Sequence, residues 1–230
     1  MFTGIVEGLV CLKTREPLVN SDESTGLRFV FEFTQSFIFN HSLSGSLAGA
    51  SISSMSNMPM AIGESVSING VCLTLVEIDL KNYLFTVELV PETLKLTNLK
   101  NLRVGALANF EKAVSVHMRM GGHFVQGHVD GVLEIINLKS DGGAVNITLR
   151  YPEKFSPYFI PKGFISLDGM SLTIAGVDPD ALTFWVTLIP HTRAVTIAQN
   201  YQCGSIVNFE IDFITKQIHQ SVEHYLKNKK

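Results

Sequence analysis

The chain has 230 residues, of which 46% are hydrophobic and 17% are charged, so a disordered chain is not expected. Its formal net charge of −3 at pH 7 gives no electrostatic reason to expect a nucleic acid or an anionic membrane as a partner. The sequence contains no apolar run of about 18 residues and no basic, then apolar, opening segment, which predicts a soluble intracellular protein.

The first predicted strand follows "GIVEG" at 4–8, and a second apolar run follows the similar "GHVDG" at 127–131, 123 positions later. Further along, the two halves match at an offset of 99, so the first half carries 24 extra residues after its first strand. The Ser, Gly, Asn and Met content of 41–60 places the insertion there, as an exposed loop. A plain surface insertion is favoured over a functional lid.

The hairpin predicted at 68–75, "INGVCLTL", is nearly repeated at 167–174 as "LDGMSLTI", where Ser171 takes the place of Cys72. Asn-Gly and Asp-Gly are typical of tight turns between antiparallel strands. Aligned without a gap, residues 64–111 and 163–210 share 16 identities in 48 positions, including both "NFE" triplets. This level of identity indicates an internal duplication.

Short runs of β-branched and aromatic residues, such as "YLFTVELV" at 83–90 and "LTFWVTLI" at 182–189, end at Pro91 and Pro190. Such runs predict strands, and each proline can begin a short helix. Because many short strands with tight turns occur twice, the sequence predicts an all-β fold of two small closed antiparallel barrels.

The tail at 215–230 changes from the periodicity of a strand to that of a helix. Ile218, Val222, Tyr225 and Leu226 fall on one face, at spacings typical of an amphipathic α-helix. Once both barrels have closed, this apolar stripe still needs a surface to cover it. The helix is expected to pack either on its own barrel or on another subunit.

A duplicated barrel with polar residues at the same place in each copy suggests two similar ligand sites. The polar positions are "CLT" and "SLT" in the hairpins, the loops "ELVPET" and "LIPHTR", and the openings "GIV" and "GHV". Each alone also has a structural explanation, because glycine suits a positive φ, threonine suits a strand and cysteine is a small apolar filler. No phosphate-binding or dinucleotide-binding glycine motif occurs, so no such cofactor site is expected.

The cysteines Cys11, Cys72 and Cys203 form no Cys-x-x-Cys motif and leave one unpaired in any disulfide scheme, which predicts a reducing, cytoplasmic compartment. His123 and His128 are five positions apart, and in a strand this spacing puts the two side chains on opposite faces. No metal site is therefore predicted. A single inward-facing histidine is better suited to proton transfer.

Several motifs in order, "MFTGIVE", "NGVCLTL" with "DGMSLTI", "GGHFVQGHVDG" and "PKGFISLDG", resemble the riboflavin synthases of the alpha-subunit type along essentially the whole chain apart from 41–60. The resemblance implies two six-stranded antiparallel β-barrels, at 1–122 and 123–213, and a C-terminal α-helix at 214–230 that makes homotrimer contacts. It also implies that two molecules of 6,7-dimethyl-8-ribityllumazine react by transfer of a four-carbon unit. The products would be riboflavin and 5-amino-6-(D-ribitylamino)uracil, and no cofactor would take part.

Carried over by matching motifs, the resemblance implies two pockets and a small set of active residues. The catalytic positions would be Cys72, His128, Ser65, Ser171, Phe2 and Asp212. The N-terminal pocket would be lined by Cys72, Leu73, Thr74, Glu88, Leu89, Val90, Pro91, Glu92, Thr93, Gly127, His128 and Val129, with Lys162 reaching in from a neighbouring chain. The C-terminal pocket would be lined by Gly4, Ile5, Val6, Ser171, Leu172, Thr173, Leu188, Ile189, Pro190, His191, Thr192 and Arg193.

The resemblance also implies a working site formed between the N-terminal barrel of one subunit and the C-terminal barrel of its neighbour. For this site we hypothesise a division of chemical roles. His128 is expected to transfer protons, and Cys72 or an activated water to add at C7 of one lumazine. Ser171 and Thr173 are expected to orient the other lumazine. The substrate itself would supply much of the reactivity, because its 7-methyl group is acidic.

Two positions depart from the family pattern, since Val71 stands where some members have a second cysteine and His191 where some have glutamate. The main alternative function is a non-catalytic lumazine- or flavin-binding protein of the same fold. A flavin-dependent reductase is less favoured, because the chain has no nicotinamide-binding domain. Both halves keep a polar residue followed by "LT" and a Pro-x-Thr loop, which favours two working pockets and hence an enzyme.

Overall fold

The computed structural model describes residues 1–18, 26–35, 60–116 and 119–228. Within these residues, twelve strands close into two six-stranded antiparallel barrels, one from each half of the chain, which confirms the predicted fold class. The predicted insertion at 41–60 lies outside the described residues, apart from Met60. The division of the chain after residues 122 and 213 stays a prediction.

The two barrels have the same topology. The N-terminal barrel contains β1 (Gly8–Pro17), β2 (Leu27–Phe33), β3 (Ser65–Ile68), β4 (Val71–Asp79), β5 (Leu84–Leu89) and β6 (Leu107–Lys112). The C-terminal barrel contains β7 (Gly131–Asp141), β8 (Ala144–Arg150), β9 (Phe164–Leu167), β10 (Met170–Asp178), β11 (Thr183–Leu188) and β12 (Ile206–Ile211). Neighbouring strands follow the order β1-β2-β5-β4-β3-β6 in the first barrel and β7-β8-β11-β10-β9-β12 in the second. The equal order supports the duplication.

Side chains fill the interior of each barrel. In β2, Leu27, Phe29, Phe31 and Phe33 point inward and are buried, and the residues between them are half-buried, as strand alternation requires. A second aromatic cluster in the C-terminal barrel includes Tyr151, Phe159, Phe184 and Phe209. A small barrel with a packed interior has no room for a ligand inside it, so a binding site has to lie on its outer face.

The predicted tight turns join β3 to β4 and β9 to β10. Asn69 and Gly70 have φ values of 47° and 77°, and Asp168 and Gly169 have φ values of 44° and 80°. Two successive positive φ angles are typical of the type I′ hairpin turn, which favours Asn-Gly and Asp-Gly. The two turns meet head to head, because a Cβ on Gly70 would lie 2.6 Å from the backbone nitrogen of Gly169.

A buried polar seam surrounds this meeting point, and each barrel makes equivalent hydrogen bonds to the turn of the other. The Asn109 side chain donates to the Asp168 carbonyl at 2.8 Å, and the Asn208 side chain donates to the Asn69 carbonyl at 2.8 Å. In each turn, the side-chain oxygen of residue 69 or 168 accepts the backbone N–H of Asn109 or Asn208. These reciprocal bonds fix the relative position of the barrels.

Three α-helices have both ends within the described residues. Short helices α1 (Pro91–Leu96) and α2 (Pro190–Val195) begin at the two prolines, as predicted, and α3 (Phe213–Lys227) confirms the C-terminal helix. The apolar face of α3 is exposed in the single chain, since Ile218 is 59% exposed and none of its described residues is buried. The chain's own barrel therefore does not cover the stripe.

Candidate functional site

Two lead-in segments, residues 1–6 and residues 124–129, run in front of β1 and β7 and cross between the barrels. They pair with each other once, through the Phe2 N–H to the Val125 carbonyl at 2.7 Å and the Val125 N–H to the Phe2 carbonyl at 3.1 Å. Both side chains are fully buried at this crossing. Beyond the bridge, each segment continues along the outer face of the opposite barrel.

Each lead-in segment ends against the residue at which the two hairpins differ. Cys72 of β4 donates its backbone N–H to the Gly127 carbonyl at 2.9 Å, and Ser171 of β10 donates to the Gly4 carbonyl at 2.7 Å. Both glycines have a positive φ, and a Cβ on either would lie 2.6 Å from the Cβ of its partner. Only glycine permits this approach, so each pocket has a wall from the other half of the chain.

The N-terminal pocket is a cavity of about 230 Å³ between β4, α1 and the second lead-in segment. Its lining residues are Val71, Cys72, Glu92, Thr93, Leu96, Thr97, Gly127, His128 and Val129. Six of the twelve own-chain residues predicted for this pocket line the cavity, namely Cys72, Glu92, Thr93, Gly127, His128 and Val129. Val71, Leu96 and Thr97 also line it and were not predicted. The half-buried Cys72 thiol and the exposed His128 imidazole share one concave surface.

The equivalent surface of the C-terminal barrel carries a hydroxyl and a buried imidazole where the N-terminal pocket has a thiol. We call this surface, at Ser171 and His123, the C-terminal pocket. His123 Nδ1 lies 2.6 Å from Ser171 Oγ, and the His123 ring stacks on Phe164 with centroids 5.1 Å apart. Burial lowers the pKa of His123, and the nearby Asp212 carboxylate opposes this shift. A histidine that stays neutral near pH 7 can take a proton from the serine hydroxyl or from a bound molecule.

His123 was not among the residues that the resemblance singled out. The expectation of a strand through His123 and His128 was wrong, because only Val125 makes a β-bridge there. The signal was the glycine pair before the histidine. A Cβ on Gly122 would lie 2.1 Å from the Thr3 carbonyl oxygen and 2.7 Å from the Ser171 Cβ, so this glycine is needed for a close approach.

A family model described as the lumazine binding domain matches the chain twice, at residues 3–113 and 126–212. The chain is 44% identical over 165 residues to a riboflavin synthase of Schizosaccharomyces pombe, covering 71% of this chain and 77% of that protein. It is 35% identical over 220 residues to a riboflavin synthase of Bacillus amyloliquefaciens, covering 96% and 89%. The chain belongs to the riboflavin synthase family. This family of lumazine-binding enzymes consists of transferases, as the sequence resemblance predicted.

Solved structures of LumP share the fold of this riboflavin synthase family member. LumP complexed with riboflavin superposes with a TM-score of 0.72 at 19% identity, covering 92% of this chain and 99% of LumP. LumP complexed with 6,7-dimethyl-8-(1'-D-ribityl) lumazine gives a TM-score of 0.69 at 19% identity and the same coverage. At this identity the likeness establishes the common fold of two barrels.

Two residues that the family resemblance implied as catalytic, Ser65 and Asp212, do not line the N-terminal cavity. Ser65 lies on β3 beside a separate cavity of about 400 Å³, together with Met1 and Lys112. Asp212 caps α3, since its carboxylate accepts the Thr215 backbone N–H at 3.1 Å and hydroxyl at 3.0 Å. Both stay predictions as catalytic residues.

The remaining implied residues divide by the direction of their side chains. Leu73, Leu89 and Leu188 are buried in the barrel cores, so only their backbone can face a ligand. Lys162 is exposed in a turn, with a φ of 70°. The other exposed or half-buried ones are Ile5, Val6, Thr74, Glu88, Val90, Pro91, Leu172, Thr173, Ile189, Pro190, His191, Thr192 and Arg193.

Two further features of the chain concern metal binding and membrane crossing. Among the residues whose placement is described, no three His, Cys, Asp or Glu side chains converge as metal ligands. Over the same residues, no α-helix combines the length and apolarity that a membrane crossing needs.

Proposed function

We propose that the chain catalyses the riboflavin synthase reaction, in which two molecules of 6,7-dimethyl-8-ribityllumazine give riboflavin and 5-amino-6-(D-ribitylamino)uracil. The observation that carries this proposal is the duplicated pocket. Gly127 meets Cys72 and Gly4 meets Ser171 through the same hydrogen bond, so the chain presents the same backbone surface twice. Two copies of one substrate match two copies of one surface, and family membership supports the same reaction.

The proposed reaction requires no oxidant, reductant or group donor, because the two products together contain all the atoms of the two substrates. Two C–C bonds form and two C–N bonds of the donor lumazine break, and the protons are redistributed between the two molecules. The protein mainly has to hold the two rings in contact. Proximity of this kind contributes roughly 7–11 kcal/mol to lowering a barrier.

The side chains supply two separate proton-transfer groups. In the C-terminal pocket, we assign removal of the acidic 7-methyl proton of one lumazine to neutral His123, whose contact with Ser171 and lowered pKa support this role. In the N-terminal pocket, the Cys72 thiolate or a water adds at C7 of the other lumazine and leaves when the ring of riboflavin closes. His128 beside Cys72 transfers the proton that this addition and departure require.

The reaction site is proposed to form between two subunits of a homotrimer. The N-terminal cavity of about 230 Å³ is smaller than the roughly 300–1,000 Å³ of typical ligand pockets, so a second chain would complete it. Ile214, Ile218, Val222 and Leu226 on α3 are each at least 50% exposed, and they offer the surface through which subunits would assemble. The free thiols Cys11, Cys72 and Cys203 support a reducing, cytoplasmic location.

The direct test is to incubate the purified chain with 6,7-dimethyl-8-ribityllumazine and to measure riboflavin by absorbance and chromatography. We expect one riboflavin for every two lumazines consumed, and little turnover from Cys72→Ser at unchanged stability. Bound lumazine without product would overturn the enzyme and favour a non-catalytic binding protein. Full turnover by Cys72→Ser would remove the thiol from the mechanism and leave water as the nucleophile.

A further inference from the structure

The two "NFE" triplets end in buried glutamates whose side chains turn toward the lead-in segments. Glu210 is 2% exposed, and its two oxygens accept the backbone N–H groups of Gln126 at 2.7 Å and Gly127 at 2.8 Å. Glu111 is 5% exposed, and its oxygens accept the backbone N–H groups of Thr3 at 2.7 Å and Gly4 at 3.1 Å. Each carboxylate therefore accepts hydrogen bonds from two successive backbone N–H groups.

These peptide groups have no partner in the barrel ladders among the described residues. The β1–β6 ladder ends at the pair Gly8 and Phe110, and the β7–β12 ladder ends at Gly131 and Phe209. The lead-in segments leave their own barrels at these points. A glutamate with two oxygens satisfies two N–H groups that the crossing chain would otherwise bury without an acceptor.

The apolar contacts of the lead-in segments lie on the opposite barrel. Val129 packs against the N-terminal core and Val6 against the C-terminal core. The chain of contacts thus runs from Glu210 in the C-terminal barrel through Gly127 to Cys72 in the N-terminal barrel. The matching chain runs from Glu111 of the N-terminal barrel through Gly4 to Ser171 of the C-terminal barrel.

We propose that Glu210 and Glu111 are positioning residues that act crosswise, each setting the wall of the pocket on the other barrel. Glu210 holds Gly127 against Cys72, and Glu111 holds Gly4 against Ser171. Burial raises the pKa of both carboxyl groups, that of Glu111 to about 7. Burying these two groups therefore costs desolvation free energy, which the hydrogen bonds to the lead-in segments offset in part. The proposal deepens the proposed function, because it names residues outside the pockets that set the geometry of both.

The test measures thiol alkylation by N-ethylmaleimide in the full chain without lumazine, with each cysteine followed by peptide mass spectrometry. Glu210→Gln puts an amide NH₂ against a backbone N–H, so the Gly127 wall loosens and we expect Cys72 to react about tenfold faster. Exposed Cys203 in the same molecule is the internal reference and should keep its rate. Glu111→Gln is the matched control, because it loses the same kind of bond but should leave the Cys72 rate unchanged.

The reciprocal experiment uses the thiol that Ser171→Cys introduces in the C-terminal pocket. There Glu111→Gln should accelerate alkylation about tenfold and Glu210→Gln should not. Should Glu210→Gln fail to fold, Glu210→Asp takes its place, since the shorter carboxylate keeps the charge but cannot hold both N–H groups at their present distances. Equal effects of both glutamate variants on both thiols, or no effect on either, would overturn the crosswise proposal.

A steady-state measurement connects this positioning role to the reaction. If the proposed function holds, Glu210→Gln should raise KM for lumazine about tenfold with a smaller change in kcat, because the wall of a binding surface is displaced while the reacting groups remain. A chain that makes no riboflavin would refute the proposed function alone. The alkylation rates are measured without substrate, so they would still decide the crosswise role.

Discussion

The N-terminal and C-terminal pockets share their backbone but differ in the groups that can react. The N-terminal pocket presents the Cys72 thiol beside an exposed imidazole, and the C-terminal pocket presents the Ser171 hydroxyl bonded to the buried His123. The residues near His123 also differ from their counterparts in the first half. Phe164, on which His123 stacks, corresponds to Ser65 in the first half, and Asp212 corresponds to Ala113.

This difference shows which parts of a duplicated site are free to diverge. The hairpin turns, the crossing glycines and the buried glutamates recur in both halves, because they fix the backbone that forms each pocket. Among the side chains that line the N-terminal cavity, Thr93 and Thr97 have identical counterparts in the second half, whereas Ser171 replaces Cys72 and His191 replaces Glu92. In the proposed reaction one lumazine donates carbon atoms and the other accepts them, so unequal side chains on equal backbones fit unequal roles.

The largest expected effect comes from breaking the pair that exists only in the C-terminal pocket. His123→Phe keeps an aromatic ring against Phe164 but removes the nitrogen that contacts Ser171, and we expect kcat to fall roughly 10²-fold or more. Ser171→Ala should lower kcat comparably. The double variant should be little worse than either single variant, because the two side chains act as one unit.

The control for this cycle pairs His123→Phe with Cys72→Ala. These side chains belong to different pockets, so their effects on kcat should multiply. The measurement is steady-state riboflavin formation, with thermal unfolding to verify that each variant is folded. If the effects of His123→Phe and Ser171→Ala on kcat multiplied, the two side chains would act independently. The 2.6 Å contact between them would then be structural only.

An intermediate effect is expected from two glycines with nearly the same φ but different surroundings. Gly127 has a φ of 80° and no space for a Cβ, whereas Gly204 has a φ of 85° and no atom within 4 Å of the position of a Cβ. Gly204→Ala should cost about 1–2 kcal/mol of unfolding free energy, for the left-handed backbone alone. Gly127→Ala should cost about 1–3 kcal/mol more and should lower the rate of riboflavin formation, because its Cβ collides with Cys72.

Urea denaturation and riboflavin formation measure both consequences. Gly204→Ala should retain its activity, since it lies in a turn outside both pockets. If the two variants were equally destabilised and equally active, the close contact between Gly127 and Cys72 would contribute neither to stability nor to activity. The lead-in segments would then only connect the two barrels.

Local rules recovered much of the fold from the sequence. The Asn-Gly and Asp-Gly turns, the prolines at α1 and α2 and the apolar stripe of α3 are decided by neighbouring residues, so a short window of sequence suffices. Alternating aromatic residues in β2 likewise predict a strand with one buried face. The duplication added long-range information, because a repeat of one pattern implies a repeat of one unit.

The crossing of the lead-in segments was outside the reach of such rules. The bonds from Glu210 to Gly127 and from Gly127 to Cys72 join residues that are 83 and 55 positions apart, and no periodicity predicts them. The family resemblance did place Gly127 with Cys72, but it gave no reason for that pairing. His123 was missed for the same reason, since its contact with Ser171 depends on two glycines that a plain turn would also explain.

The smallest expected effect concerns the two turns of the seam, where Asn69 and Asp168 occupy equivalent positions. Burial raises the pKa of Asp168 to about 7, although Tyr201 donates its hydroxyl to the carboxylate at 2.6 Å. The first half has Leu102 in place of Tyr201 and an uncharged amide in place of the carboxylate. Of the two turns, only the one that contains Asp168 can therefore make the free energy of unfolding depend on pH.

The direction of this dependence follows from the folded pKa of about 7 lying above the unfolded value of about 3.9. The folded chain binds the proton more tightly, so the contribution of Asp168 is fully present below about pH 4 and is lost as the pH rises through about 7. From pH 6 to pH 8 the loss is about 1.4 kcal/mol of unfolding free energy. Buried Glu111 has the same folded pKa and adds a similar loss.

Asp168→Asn should therefore remove the part that Asp168 contributes, about 1.4 kcal/mol, from the change in unfolding free energy that urea denaturation shows between pH 6 and pH 8. The asparagine keeps an oxygen for the Asn208 N–H, and Tyr201 can rotate its hydroxyl hydrogen and accept from the new amide. Asn69→Asp should do the reverse, because it buries a second carboxyl group without a tyrosine to donate to it. If the unfolding free energy of Asp168→Asn depended on pH as that of the unchanged chain does, the Asp168 carboxylate would stay ionised throughout this pH range. Neither turn would then contribute to the pH dependence of stability.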